Sequence, residues 1–125
     1  MTRFLLDSSA ILNMLANTSS SSDIRNFISN GELVTSVICY CEVLNEINLH
    51  KIKIAEEFLN QLLIFQVTLA DAHLAKEIEY ACRKSGGQVP TMDCLIAATA
   101  SNNNATVITT DSDFSRIDGV KKEVF

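Results

Sequence analysis

Short apolar runs that alternate with amphipathic segments constrain the fold of this chain more than any other feature. The clearest runs are RFLL at 3–6, ELVTS at 32–36 and ATVITT at 105–110, and shorter candidates are QVTL at 66–69 and VKKEVF at 120–125. Strands that are largely apolar along their length fit a sheet that is covered on both faces. The sequence therefore predicts an α/β fold in which a central, mostly parallel sheet of four or five strands is flanked by helices.

The segments between these runs carry helical periodicity and helix-start residues. Tyr40, Val43 and Ile47 fall on one face of a helix that Ser36 can cap and that is predicted to end near His50. Further helices are predicted over AILNML with Ser8 or Ser9 as cap, DIRNFI, residues 53–65, residues 71–87, and Pro90 to about Asn103. The 125 residues contain no repeat or linker, so one domain over 1–125 is expected.

Composition narrows the class of protein. Hydrophobic residues make up 47% and charged residues 20%, which is typical of a folded chain. The apolar runs are too short to span a membrane, and Asp7 interrupts the first one, so a cytoplasmic protein without a membrane partner is expected. Cys39, Cys41, Cys82 and Cys94 lack zinc spacing, which favours buried, reduced thiols; a disulfide would fit a hyperthermophilic source.

Four carboxylates fall where a parallel sheet places its ligands. Asp7 directly follows the first strand and Asp111 directly follows the run at 105–110. Ligands of open parallel sheets bind beyond the carboxyl ends of the strands. Glu42 lies in the helix after the second strand and Asp93 in the first turn of its helix, and helix starts that follow strands face the same edge. The sequence therefore predicts that four distant acids converge.

A convergence of carboxylates requires positive charge or protons. Two carboxylates about 4 Å apart repel by roughly 4 kcal/mol at an effective dielectric near 20. Oxygen ligands without His select Mg²⁺ or Mn²⁺, ions that activate water and neutralise an in-line phosphoryl transition state. The net charge of −5 disfavours a polyanion, but ten Lys and Arg against fifteen acids leave about −1 once four acids bind a cation. The acids thus predict metal-assisted phosphodiester hydrolysis.

Each acid also has a simpler interpretation. Asp7 can cap a helix and Asp93 can interact with the dipole of its helix, while Glu42 can lie on a solvated face. Asp111 and Asp113 can belong to a turn. These interpretations are independent of one another, whereas a shared site explains all the acids together.

The segments FLLDSSAIL, TSVICYCEVLNEI, GGQVPTMDCLIAATA and VITTDSDFSRI, in this order, resemble PIN-domain proteins, specifically toxin ribonucleases of the VapC type. The resemblance covers nearly the whole chain and implies a three-layer PIN-like fold. It also implies an endoribonuclease that depends on Mg²⁺ or Mn²⁺ and is the toxin of a type II toxin–antitoxin pair. Its partners would be RNA, a small cognate antitoxin and a second copy of the chain.

The resemblance also assigns roles to residues of this sequence. The catalytic, metal-binding acids would be Asp7, Glu42, Asp93 and Asp111, with Asp7 and Asp93 as the direct ligands. Asp113 is a further candidate, because relatives differ in which acid of this motif points inward. The hydroxyl groups that would orient carboxylates or water are those of Ser8, Thr109 and Thr110.

Two other classes of protein fit parts of the sequence. A PIN-fold protein that only binds would keep the fold without catalysis. A phosphoacceptor receiver domain has a similar size, but it requires paired acids after the first strand and a Lys after a late strand. Asp7 stands alone, and Asp111 occupies the place of that Lys.

Two sets of residues are expected to meet partners. The apolar excess of IAEEFLNQLLIF predicts a helix that faces another protein chain. The basic residues that could surround a groove for phosphates are Arg3, Lys51, Lys53, Arg83 and Lys84.

Overall fold

Strand β1 is the centre of a five-stranded, wholly parallel sheet in the computed structural model, which describes residues 1–125. The strands are β1 Arg3–Leu6, β2 Glu32–Ser36, β3 Leu63–Phe65, β4 Ala105–Thr109 and β5 Lys122–Val124. Their order across the sheet is β3-β2-β1-β4-β5, and every neighbouring pair is parallel. The predicted α/β fold with a central parallel sheet is confirmed.

Six α-helices cover the two faces of the sheet. They are α1 Ser8–Ala16, α2 Ser21–Ile28, α3 Val37–Glu46, α4 Ile52–Leu59, α5 Leu69–Lys84 and α6 Thr91–Asn102. Alternate side chains of β1 enter different cores: Phe4 and Leu6 pack with α1, α2 and α4, whereas Leu5 packs with α5 and α6. Burial on both faces explains why the strands are largely apolar, and the layers match the predicted PIN-like arrangement.

The segment between α3 and α5 differs from the prediction. Helix α3 ends at Glu46 rather than near His50, and α4 ends at Leu59 rather than at residue 65. The third strand is Leu63–Phe65, paired with β2, and not QVTL at 66–69. Apolar residues at helical spacing continue past Asn60 and Gln61 to Leu62 and Leu63, so the pattern alone placed the boundary too late.

Helix α5 begins with a capping box that replaces the predicted strand at 66–69. The Thr68 hydroxyl accepts a hydrogen bond from the Asp71 backbone N–H, and the Asp71 carboxylate accepts one from the Thr68 N–H. These reciprocal bonds satisfy two backbone donors of the first turn. The chain at 66–69 therefore turns directly from β3 into α5.

Buried Asp71 also joins α5 to α6. Its Oδ1 accepts a hydrogen bond of 2.8 Å from Asn102 Nδ2, and its Oδ2 accepts one of 3.2 Å from Thr99 Oγ1. At the opposite end of the pair, Thr91 Oγ1 donates to Glu79 Oε1 at 2.9 Å. The two helices therefore lie antiparallel, and both ends of α6 are fixed against α5.

No α-helix in the structure has the length and apolar character that crossing a membrane requires.

Candidate metal centre

The carboxyl edge of the sheet brings the predicted acids together. Asp7 follows β1 and Asp111 lies two residues beyond β4; these strands are neighbours, with Leu6 paired to Ile108. The Asp7 N–H donates to the Ile108 carbonyl at 2.9 Å, which extends the pairing one residue further. Distant parts of the sequence are therefore adjacent at this edge.

Five carboxylates form one acidic cluster, which we define as Asp7, Glu42, Asp93, Asp111 and Asp113. Carboxylate oxygens of Asp7 and Glu42 lie with the Cys39 Sγ within 4.8 Å of one another, and oxygens of Asp93, Asp111 and Asp113 form a second group within the same limit. The two groups are electrostatically coupled, because Asp7 and Asp111 each raise the pKa of Asp93. Helix α3 supplies Glu42 and α6 supplies Asp93.

Hydroxyl groups hold the buried side chain of Asp7. Its Oδ2 accepts hydrogen bonds from Thr109 Oγ1 at 2.7 Å and from Ser9 Oγ at 2.9 Å. Its Oδ1 has only a weak contact with the Cys39 thiol, at 3.7 Å. Asp7 occupies the N-cap position of α1, but its side chain makes no capping bond, so the capping interpretation does not apply. One oxygen of a fixed carboxylate is thus available to a ligand.

The two serines predicted as caps of α1 donate hydrogen bonds to the acids instead. Helix α1 begins at Ser8, so both serines lie within its first turn. Ser8 Oγ donates to Glu42 Oε1 at 3.0 Å, while Ser9 Oγ donates to Asp7. The first turn of α1 therefore orients one carboxylate on each side of it.

Thr109 and Thr110 act at different distances from the acids. Thr109 donates directly to Asp7 and accepts a hydrogen bond from the Asp111 N–H at 3.0 Å. Thr110 acts one step further away: its N–H donates to Ser9 Oγ, and its hydroxyl accepts a bond from Asn13 Nδ2. Both residues belong to the network around Asp7.

Sequence reasoning missed Ser9, Asn13 and Cys39 as members of this network. The indication available for Cys39 was its spacing from Glu42. The two residues are three apart in a predicted helix, so they share one of its faces. Ser9 could have been found by its position in the turn that follows Asp7. Asn13 had no local indication, since its contact with Thr110 joins segments 97 residues apart.

Both acids of the motif DSD face the cluster. Asp111 Oδ1 accepts a hydrogen bond of 2.9 Å from the Asp113 N–H and caps a short 3-10 helix, Ser112–Arg116. Asp113 lies 4.0 Å from Arg116 Nη1 and also contributes an oxygen to the second group of acids. The turn that was predicted as an alternative to the site is present, and it places the carboxylates of both acids in the site.

The electrostatics of the cluster favour a cation. Burial raises the pKa of Asp7 and of Glu42. Burial, together with the charges of Asp111, Asp7 and Glu42, raises the pKa of Asp93 to about 7. Burial and Asp7 also raise the pKa of Cys39 to about 12, so its thiol stays a neutral S–H donor. Crowded oxygen donors that hold protons in the absence of counter-charge fit a hard divalent cation.

The predicted basic residues do not all surround this site. Arg3 lies at the amino end of β1, where it pairs with Glu32 and donates to the Asn103 carbonyl, so its assignment to a groove at the acids was wrong. Arg83 lines a cavity that Asp113 also lines.

A three-layer parallel α/β sheet that gathers carboxylates at its carboxyl edge defines the class of protein to which this chain belongs. The family is the PIN domain, whose sequence profile matches residues 4–120, and the chain belongs to it. The resemblance noted in the sequence is confirmed at this level. No curated protein matches the sequence significantly.

Solved structures share the fold over nearly the whole chain. The structure of VapBC from Salmonella typhimurium bound to DNA matches with a TM-score of 0.82 and 22% identity, covering 99% of this chain and 98% of that one. VapBC2 from Rickettsia felis, bound to a promoter fragment, matches with 0.80 and 19%, covering 99% of both. VapC20 from Mycobacterium tuberculosis, a toxin that cleaves the sarcin–ricin loop, matches with 0.71 and 19%, covering 95% and 96%. At these identities the likeness shows a common fold.

Proposed function

We propose that this protein is an Mg²⁺- or Mn²⁺-dependent endoribonuclease and the toxin of a type II toxin–antitoxin pair, acting in the cytoplasm. The observation that carries the proposal is the acidic cluster, in which buried Asp7 is fixed by two hydroxyl groups and keeps one oxygen available. Membership in the PIN family and the similarity to toxin structures, one of which cleaves RNA, support the same function.

The residues of the cluster have distinct roles in this proposal. Asp7 and Asp93 would hold the ion, and Glu42, Asp111 and Asp113 would complete the set of acids around it. When bound, the ion supplies an activated water and neutralises charge on the phosphate under attack. Ser9 and Thr109 keep Asp7 in place, and Ser8 does the same for Glu42. Burial, and then the neighbouring acids, raise the pKa of Asp93, and a bound cation would favour its ionised form.

The direct test is cleavage of single-stranded RNA by the purified chain. We expect cleavage with Mg²⁺ or Mn²⁺ and none after addition of EDTA. Cleavage that persists without a divalent ion would contradict the metal-dependent mechanism. A chain that binds RNA with either ion but never cleaves it would instead be the PIN-fold binding protein.

Asp93→Asn is expected to abolish cleavage because it removes one ligand charge, while the fold of the metal-free protein is kept or stabilised by the loss of repulsion. Asp23→Asn is a matched control: Asp23 is also the third residue of its helix, but it is exposed. Cleavage and circular dichroism are measured on both variants. If Asp93→Asn unfolds the protein, the helix-dipole interpretation of this carboxylate is favoured.

We also propose that the chain forms a homodimer and binds a small antitoxin encoded beside it. Large apolar side chains are exposed in and beside α4, namely Leu49, Ile54 and Leu63. A small DNA-binding protein encoded next to this one, which co-purifies with it and stops RNA cleavage, would support the pairing. A chain that stays monomeric in light scattering with and without that protein would contradict both assemblies.

A further inference from the structure

We propose that single-stranded RNA leaves the acidic cluster along a groove between α5 and α6, where Arg83 binds a phosphate and Tyr80 stacks on a base. This inference rests on the proposed function and adds the path of the substrate. It concerns residues outside the acidic cluster, on the exposed side of α5.

The groove consists of two adjoining cavities. The first, about 380 Å³, is lined by Asp113 of the acidic cluster and by Arg83. The second, about 450 Å³, lies between α5 and α6 and is lined by Tyr80 and Lys76. Both cavities share Arg83, Glu79 and Thr91, so they adjoin one another, and these three residues form their common boundary between the acids and Tyr80.

Arg83 is held at the junction of the two cavities. Its Nη2 donates to Glu79 Oε2 at 2.7 Å, and Glu79 also accepts the bond from Thr91, the first residue of α6. The Arg83 side chain remains 63% exposed, and one of its N–H groups is engaged. A guanidinium has five N–H donors, so Arg83 can bind a phosphate without breaking its contact with Glu79.

Basic side chains pair with the acids on this side of the cluster. Arg116 Nη1 lies 4.0 Å from Asp113 Oδ1 and donates to the Gln88 carbonyl at 3.0 Å. Arg116 thus partly offsets the charge of Asp113. Lys76 adds a positive charge in the second cavity, and Glu79, the acid that both cavities share, is paired with Arg83. Phosphates next to the bond that is cut would meet cations in this direction.

Tyr80 indicates that the occupant is single-stranded. Its side chain is 66% exposed, and Lys84 Nζ lies 6.0 Å from the centre of its ring. An exposed aromatic ring among cations is the combination that binds unpaired nucleotides, because the ring stacks on a base while the cations hold phosphates. Bases of a duplex are already stacked on each other and cannot use this ring.

The test measures RNA binding by full-length protein that carries Asp93→Asn, so that the RNA is not cut. Fluorescence anisotropy of a labelled single-stranded oligoribonucleotide is recorded in Mg²⁺ at several salt concentrations. We expect Arg83→Ala to raise Kd about tenfold and to reduce the salt slope by about 0.7, the loss of one phosphate contact on a single strand. Lys121→Ala is the matched control, because Lys121 lines a cavity with Arg3 at the opposite edge of the sheet.

Tyr80 is tested with two substitutions in the same background. Tyr80→Ala is expected to raise Kd at least about fivefold, the lower limit for loss of one stacked base. Tyr80→Phe restores binding, since it keeps the ring and removes only the hydroxyl. Thermal unfolding of each variant shows whether a loss of binding comes from a loss of fold.

The outcomes separate this inference from the proposed function. If the unsubstituted protein cleaves RNA and Arg83→Ala binds like Lys121→Ala, with an unchanged salt slope, the path is wrong and the ribonuclease assignment stands. Equal loss of binding in Tyr80→Phe and Tyr80→Ala would overturn stacking by Tyr80. If the unsubstituted protein cleaves no RNA with either ion, the function and the path both fail.

Discussion

At the scale of single residues, Asp93 shows that the acidic cluster lowers the stability of the metal-free fold when its carboxylates are ionised. Burial and the neighbouring acids raise the pKa of Asp93 from its ordinary 3.8 to about 7. Between these values the unfolded chain has lost the proton that the folded protein keeps, so rising pH favours unfolding. A bound cation removes this penalty by pairing with the ionised form.

We therefore expect the free energy of unfolding of the metal-free protein to fall, relative to Asp93→Asn, as the pH rises from about 4 to 7. Urea denaturation at a series of pH values in EDTA measures this difference. The Asp23→Asn control should follow the unsubstituted protein across the series. A difference that stays constant with pH would show that Asp93 does not titrate in this way.

The four cysteines give a second prediction at this scale. Cys41 is exposed, whereas Cys39, Cys82 and Cys94 are buried, and all four are free. An aromatic disulfide reagent should react rapidly with one thiol per folded chain and with four after denaturation. Fewer than four in denaturant would reveal a disulfide.

A residue of the site could be predicted where the sequence next to it indicated its place in the fold. Asp7 and Asp111 follow apolar strands, so their meeting at one edge could be inferred from the parallel sheet alone. Cys39, next to Asp7, and Asn13, next to Thr110, are held by contacts between segments far apart in the sequence. Such contacts depend on how helices pack on the sheet, which a single sequence does not specify.

At the scale of elements, one buried carboxylate, that of Asp71, joins α5 to α6 at one end of the helix pair. Burial would raise the pKa of Asp71, but the hydrogen bonds from Asn102, Thr68 and Thr99 outweigh it and lower the pKa. Asp71 therefore stabilises the folded protein above its unfolded pKa near 4, and this contribution is lost as the pH falls further.

Asp71→Ala is expected to lower the free energy of unfolding at pH 7 by about 2–4 kcal/mol, because it removes one of the two bonds of the capping box and leaves buried Thr99 without one of its partners. Glu77→Ala, an exposed change on the same helix, should cost less than about 0.5 kcal/mol. Urea denaturation of both variants compares these values. Equal stability of the two would contradict the role of Asp71 as a tie between the helices.

Most helices and strands could be predicted from the sequence. The misplaced boundaries fall where a helix and a strand follow each other closely in one largely apolar segment. The residues from Ile52 to Phe65 supply both a helix and an edge strand, and Leu63 in that strand is half exposed. Pairing with β2 decides where the strand lies. Because that partner lies about 30 residues earlier in the chain, local periodicity could not place it.

At the scale of the whole molecule, the exposed apolar side chains around α4 give a prediction about assembly. Ile54 is 57% exposed on a helix whose other face packs Ala55 and Leu59 into the core. If the proposed homodimer uses this surface, Ile54→Asp should shift light scattering toward the monomer without lowering the thermal stability of the chain. Glu57→Asp, an exposed change on the same helix, is the control.

The separation of Asp7 from Asp111 also determines when the acidic cluster can form during synthesis of the chain. The two strands that bring them together, β1 and β4, are neighbours in the sheet although about a hundred residues lie between them. A nascent chain thus contains Asp7 long before it contains Asp111. Chains truncated ahead of Ala105 lack β4 and Asp111, so they should show none of the RNA cleavage proposed for the full chain.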